Sequence, residues 1–174
     1  TMGRRDDLDK FAQKHDMKIV YISDLVEYRL AFEMLIEEVS NEVIDFFGVN
    51  VRKRVFKDHM KNTHTVIQFG EIEKCSLAKF HNVEADIELF LNYTKLQSIL
   101  KSINFLQSKG GILVFMQNGT TDNQTMRDYG VGAQILRYLG IEEIKLLTSG
   151  GSKHSFVGLN GFNLKIKEEI QIEC

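Results

Sequence analysis

The loop TSGGSKH, Thr148 to His154, closes the apolar run IKLLT. Such a run reads as a buried strand, and open α/β sheets place ligands beyond the carboxyl ends of their strands. Two adjacent glycines let backbone N–H groups turn toward an anion, while Thr148, Ser149, Ser152 and Lys153 add donors. The chemistry on offer is phosphate binding. The spacing is not that of the phosphate-loop motif, so taken alone these residues are more simply an ordinary surface turn.

Other reactive side chains are sparse. Arg127–Asp128 opens a helical pattern and faces the polar stretch QNGTTDNQT; Arg127 either points at a bound anion or pairs with a neighbouring carboxylate. None of the histidines, His15, His59, His64, His81 and His154, has a partner at helical ligand spacing. His81, Glu84 and Asp86 could be drawn together around a metal, but scattered surface histidines beside a solvated acidic loop need no metal. Cys75 is the one internal cysteine, which excludes a thiolate zinc site within one chain. With no placed base beside it, Cys75 reads as a small buried hydrophobe.

The elements that must position these residues fit a chain of 174 residues, long enough for one well-buried domain with a short appendage. A net charge of −2 gives no electrostatic footprint for nucleic acid. No apolar run is long enough to span a bilayer, the first residues lack a signal-peptide core, and the two cysteines suit a reducing cytoplasm. Asp6–His15 reads as a short amphipathic helix and KIVYIS (Lys18–Ser23) as a strand. A capping box at Asp24 and Glu27 then opens a long helix over Asp24–Phe47, carrying Leu25, Tyr28, Phe32, Leu35, Val39, Val43 and Phe46 and ending at Gly48. Its stripe needs cover from another domain or a second subunit.

VRKRVF, HTVIQFG and KCSLAKF follow as members of an antiparallel meander. A second helix runs from Leu89 to Leu106 and closes at Gly110–Gly111; ILVFM is a buried strand. Asp128 caps a helix through Leu139 that stops at Gly140, IKLLT is a further strand, and LKIKEEIQI alternates like an edge strand. The fold class is mixed α+β and α/β: antiparallel strands followed by a helix–strand–helix–strand layer.

RDYGVGAQILRYLGI, then IKLLT and a lysine five places after the threonine, resembles GTP cyclohydrolase II. The form it resembles is the one fused behind 3,4-dihydroxy-2-butanone 4-phosphate synthase in bifunctional riboflavin-biosynthesis proteins. TMGRRDDLDKFAQKHDMKIVYISDLVEYR resembles the closing segment of that synthase. The resemblance divides the chain at residue 47, with 1–47 as synthase tail and connecting helix and 48–174 as the cyclohydrolase-like domain. It implies a homodimer, an upstream synthase domain in the same parent chain, and a cytoplasmic setting. A synthase normally includes much more chain, so these residues read as a piece of a larger protein. That parent would be a lyase converting ribulose 5-phosphate to 3,4-dihydroxy-2-butanone 4-phosphate and formate, with magnesium held only by its synthase part.

The cyclohydrolase pattern is incomplete. The family holds zinc with His-Ser-Glu-Cys and a later Cys-Asp-Cys; here His81 remains, Glu84 stands at the first cysteine position, and the later ones fall near Phe90 and Asn92. Met116, Asn118 and Thr120 replace two arginines and a glutamate. The family's nucleophilic arginine is Arg127, but its partner aspartate is Thr125. Thr148 and Lys153 match nucleotide contacts. These departures imply no metal or other cofactor in this chain, no cyclohydrolase activity, and a role in assembly or stability. A nucleotide- or flavin-sensing domain with weak GTP or flavin binding is the alternative, and a residual hydrolase forming a diaminopyrimidine phosphate, formate and pyrophosphate the third.

Overall fold

A computed structural model describes residues 5–117, 126–149 and 164–172. Its centre is a seven-stranded mixed sheet in the order β1-β2-β3-β5-β4-β6-β7. The strands are β1 (Ile36–Phe46), β2 (Val49–Asp58), β3 (Thr63–Phe69), β4 (Cys75–Asn82), β5 (Gly111–Met116), β6 (Glu143–Ser149) and β7 (Lys165–Ile172). From β1 through β3 to β5 every pairing is antiparallel; β5, β4, β6 and β7 run parallel.

The described helices are α1 (Arg5–Lys14), α2 (Ile22–Phe32), α3 (Asp86–Leu91), α4 (Tyr93–Lys109) and α5 (Met126–Tyr138). From β4 the chain crosses through α4 to β5 on one side, then through α5 to β6 on the other. Right-handed crossovers in opposite directions put the two helices on opposite faces. One core layer accordingly joins Phe56, Val66, Ala78 and Val114 to Ile135 and Leu136 of α5. The other joins Ile67, Phe69 and Leu113 to Ile99, Ile103 and Leu106 of α4.

Several expectations change. The long helix over Asp24–Phe47 is instead α2, a short connection, and β1. Leu35, Val39, Val43 and Phe46 do recur at helical spacing, but Ile36–Phe46 pairs along its length with β2, with a bulge at Glu38–Ser40. Phe47 and Gly48, at φ 53° and 80°, form the turn between the two strands, where a right-twisted hairpin requires positive φ. The division at residue 47 therefore falls inside a hairpin, and Ile36–Phe46 belongs to the sheet. KIVYIS forms no strand; Ile22 already starts α2, capped at Tyr21 without a side-chain hydrogen bond, so Asp24 is a first-turn residue and not a cap. KCSLAKF leaves the expected meander and lies parallel between β5 and β6. The helix from Leu89 to Leu106 is broken at Asn92, whose side chain accepts from the Lys95 N–H and restarts the helix as α4. Asp128 lies inside α5, which begins at Met126.

The buried strand at ILVFM, the stop at Gly110 and the edge strand at the carboxyl end are present as expected. Gly111 has a backbone reason: at φ 126°, a Cβ there would meet the Leu77 carbonyl oxygen at 2.6 Å and Leu106 Cδ2 at 2.9 Å. Gln134, buried in α5, clamps the entry to the sheet by accepting from the Leu35 N–H at 2.8 Å and donating to the Glu33 carbonyl at 3.0 Å.

Candidate functional site at the carboxyl edge of the sheet

Strand order reverses about β4, whose neighbours β5 and β6 follow it in the chain on opposite sides. In parallel sheets the crevice beyond the carboxyl end at such a reversal is where ligands bind. Here that edge gathers the ends of β4, β5, β6 and β7. The start of β3 joins them, because its Thr63 N–H donates to Gln117 Oε1 at 3.0 Å.

Alternation along β4 sends Leu77, Lys79 and His81 toward α4, and Ala78 and Phe80 toward α5. Lys79 is only 5% exposed. Its ammonium donates to Ser149 Oγ at 2.9 Å, and Ser149 Oγ lies 2.7 Å from Ser98 Oγ on α4. Ser102 Oγ donates to the Ser98 carbonyl at 2.6 Å, extending the polar line into the helix. Hydroxyls are what a buried lysine can use here, since each adapts as donor or acceptor.

His81 is buried, with its ring edge-on to Phe115 at 5.6 Å. Burial, then the Lys95 ammonium, hold its imidazolium below the ordinary histidine range; Glu84 pulls the other way and Lys79 adds to the depression. Glu84 Oε2 accepts from Lys95 Nζ at 2.5 Å, and the Val83 N–H donates to the Met116 carbonyl at 2.8 Å. The β4–α4 connection is thus tied at Val83, Glu84 and Asn92 by partners within the chain.

A second polar corner occupies the β2–β3 turn at the same edge. Asp58 Oδ1 accepts from the Met60 and Asn62 N–H groups at 2.8 and 2.9 Å, and Oδ2 from Asn62 Nδ2 at 3.0 Å. His64 Nε2 lies 3.3 Å from Asp58 Oδ2. Burial opposes the Asp58 charge, but the hydrogen bonds from Asn62, His64 and Met60 outweigh it and lower its pKa.

Of the residues singled out from sequence, Thr148 is half-buried near the end of β6, paired with Gln171. Alternation turns it toward the α5 face, with Ser149 toward α4. Arg127 falls in the first turn of α5, and its side chain lies outside the described residues. Thr125, Lys153, Ser152, His154, Asn118 and Thr120 lie outside them altogether. His64 and His81 are buried instead of scattered on the surface, and Cys75 is half-buried at the start of β4. Lys79, Lys95, Ser98 and the Asp58–His64 pair escaped the sequence; Lys79 and His81, two apart in a strand, were the available signal.

His81 and Glu84 do approach one another, but among the described residues no three His, Cys, Asp or Glu side chains are grouped to hold a metal ion. At or near the positions where the resemblance sets the thiolates of the cyclohydrolase pattern are Glu84, whose carboxylate is already engaged by Lys95, and the side chains of Phe90 and Asn92. That donor set does not fit zinc. No helix among the described residues is long and apolar enough to cross a membrane.

A mixed α/β sheet with this reversal and this edge defines the class, and the comparisons carry it further. The family model GTP cyclohydrolase II matches residues 118–171. A 3,4-dihydroxy-2-butanone 4-phosphate synthase of Sulfurospirillum multivorans is 46% identical over 95% of this chain, which spans 46% of that relative. The synthase of Campylobacter jejuni is 45% identical over 95% of the chain and 48% of its own length. The crystal structure of RibBX, a two-domain 3,4-dihydroxy-2-butanone 4-phosphate synthase from A. baumannii, superimposes with a TM-score of 0.66 at 30% identity, over 99% of this chain and 50% of that one. The chain is a GTP cyclohydrolase II-like region of the 3,4-dihydroxy-2-butanone 4-phosphate synthase type, spanning about half the length of the relatives it matches.

Proposed function

We propose that this region belongs to a 3,4-dihydroxy-2-butanone 4-phosphate synthase of riboflavin biosynthesis, as a module that does not open the purine ring of GTP and serves the parent's assembly or stability. The observation that carries this reading is the Glu84–Lys95 ion pair, because it occupies the position where the cyclohydrolase pattern starts its metal site. The match to the family model agrees, beginning at residue 118, beyond the segment that lacks the thiolates.

The chemical cost of that loss is large. Zinc lowers the pKa of bound water from about 15.7 to about 7, an advantage of up to roughly 12 kcal/mol in forming hydroxide. Neither a lysine-paired carboxylate nor a neutral imidazole supplies it. Arg127 and Lys153 contribute binding and charge, not an activated water. Formate and pyrophosphate release from GTP with added zinc is the direct assay, and none is expected above the buffer rate. Turnover that tracks bound zinc would end this reading. Deleting Ile36 onward from the parent, so that β1 leaves with the rest of its sheet, should lower the parent's subunit number or melting temperature; a parent unchanged in both would count equally against this reading.

A second reading is favoured by one feature. Buried Lys79, with Ser149 beside it and Thr148 on the other face, brings cationic and hydroxyl donors to the carboxyl edge. Such an edge suits a phosphate-bearing nucleotide or flavin held without turnover. Calorimetry with GTP and flavin mononucleotide separates the two readings, since the assembly role expects no heat at millimolar ligand.

A further inference from the structure

We propose that the connection Val83–Tyr93 is a two-fold contact surface between copies of this chain. α3 has no fully buried residue and reaches the core only through half-buried Leu89. Its opposite side carries Ile87, Phe90 and Leu91, and with Val83 and Tyr93 these stand between 50% and 75% exposed. Spacings of three and four place Ile87, Phe90 and Leu91 on one helix face. A connection that only had to dock through Leu89 could carry polar residues there.

The area points to a second copy. Aromatic side chains bury about 150–250 Å² each, so Phe90 and Tyr93 with the three aliphatics offer on the order of 500 Å² of apolar surface. A stable pairing buries about 800 Å² per partner around an apolar centre with a polar rim. A two-fold axis through this patch supplies that centre twice, from identical surfaces. Asp86 and Glu88 are exposed beside it and can remain in the solvated rim.

The other extended surface suits self-pairing poorly. β1 is a sheet edge with no basic residue of its own; Lys53 and Arg54 of β2 pair with Glu42 and Glu38, which leaves Glu37 and Asp45 to meet acids on a second β1. The apolar side chains of α1 and α2 lie in the stretch assigned above to the parent's synthase part.

The surface rests on the assembly reading and can fail without it. Sedimentation of the 174-residue chain should show a dimer in the micromolar range. Replacing Phe90→Asp and Leu91→Asp together should weaken it about a hundred-fold or more, since central apolar anchors dominate such contacts. Circular dichroism should be unchanged, because neither side chain is buried. Val43→Asp, exposed on β1, should leave the dimer intact. A fold-independent check uses Leu91→Cys in a Cys75→Ser, Cys174→Ser background, with a bulky maleimide added after folding to split the dimer. A monomeric unsubstituted 174-residue chain, or a dimer of undiminished affinity after either change at the patch, would overturn the surface. The second result leaves the assembly role standing with a different interface.

Discussion

Replacing Lys95 by methionine tests whether the Glu84 carboxylate is committed within the chain. Glu84 and Lys95 side chains are 27% and 35% exposed. Exposed pairs are worth about 0–1 kcal/mol. Breaking a fully buried pair costs about 3–5 kcal/mol, because one charge is left without its partner. A pair about two-thirds buried sits between, and with Glu84 Oε1 buried without a hydrogen bond only part of the stranded carboxylate faces solvent. The expected loss is about 1–2 kcal/mol, which for a chain of this size lowers the melting temperature by roughly 3–6 °C. Adding Glu84→Leu to Lys95→Met should recover most of it, as removing both charges removes the stranded one.

His81 reports the same change independently. Lys95 is the second cause of its depression after burial, so its imidazole should titrate at higher pH in the Lys95→Met protein. It should still stay below the ordinary histidine value, because burial and Lys79 remain. The linkage sign follows: with the folded pKa below the unfolded one, the unfolded chain binds the extra proton as pH falls. Stability is therefore full above the ordinary histidine range and declines as pH drops from there toward the folded value. Lys95→Met should shrink that loss. An NMR titration of His81 and thermal melts at several pH values read both effects. Unchanged titration together with an unchanged melt would show that Glu84 is not held by Lys95, and the case against a metal at that position would fall.

Gly111→Ala should cost about 2–4 kcal/mol by urea denaturation, since its Cβ would strike the Leu77 carbonyl and Leu106 from a left-handed backbone. Asp58→Asn should cost about 2 kcal/mol, because an amide in place of the carboxylate sets a donor against Asn62 or His64. For Asp58 itself the folded pKa lies below the unfolded one, so its contribution holds above the ordinary carboxylate range and is lost as pH falls through the lowered value; acid titration should show less loss in Asp58→Asn. Gln134→Leu removes partners from both Leu35 N–H and the Glu33 carbonyl and should cost about 2–3 kcal/mol, with amide exchange rising first at Leu35.

How far the sequence could be read depended on whether a spacing had one meaning. ILVFM and IKLLT are short, wholly apolar and flanked by glycine or polar residues, and both are interior strands. Leu35, Val39, Val43 and Phe46 had two meanings. Spacings of four and three share a helix face. In a strand a step of four keeps Val39 and Val43 on one face, while the step of three turns Phe46 to the other, where it packs beside Phe69. β-branched Ile36, Val39, Val43 and Ile44, and the Phe47–Gly48 turn, decide for the strand only once β2 is there to pair with it. KCSLAKF was equally undecidable: alternation identifies a strand without saying whether its neighbours run with it or against it. The edge cluster was less legible still. Lys79, Ser98 and Ser149 lie far apart in the chain and meet only because α4 crosses the face that Lys79 points into.

On the assembly reading proposed above, the β4–α4 connection shows how a loop without metal-binding residues stays ordered. A metal site fixes a loop by pulling several side chains onto one ion, and deleting the ligands alone would leave the chain to find other ties. Here each tie has a replacement of ordinary kind: the Val83 N–H on Met116, Glu84 on Lys95, the Asn92 cap on α4, and Leu89 in the core. None needs an ion, and together they span Val83 to Lys95. The charge logic also inverts, because Lys95 brings to Glu84 the positive charge that a cation would have supplied, on a side chain that cannot activate water. On that reading the loop stands on protein contacts alone and its outer face carries no catalytic demand. Ile87, Phe90 and Leu91 facing solvent then fit a loop kept for contact more than for reaction, and the Phe90→Asp, Leu91→Asp protein puts that distinction to measurement.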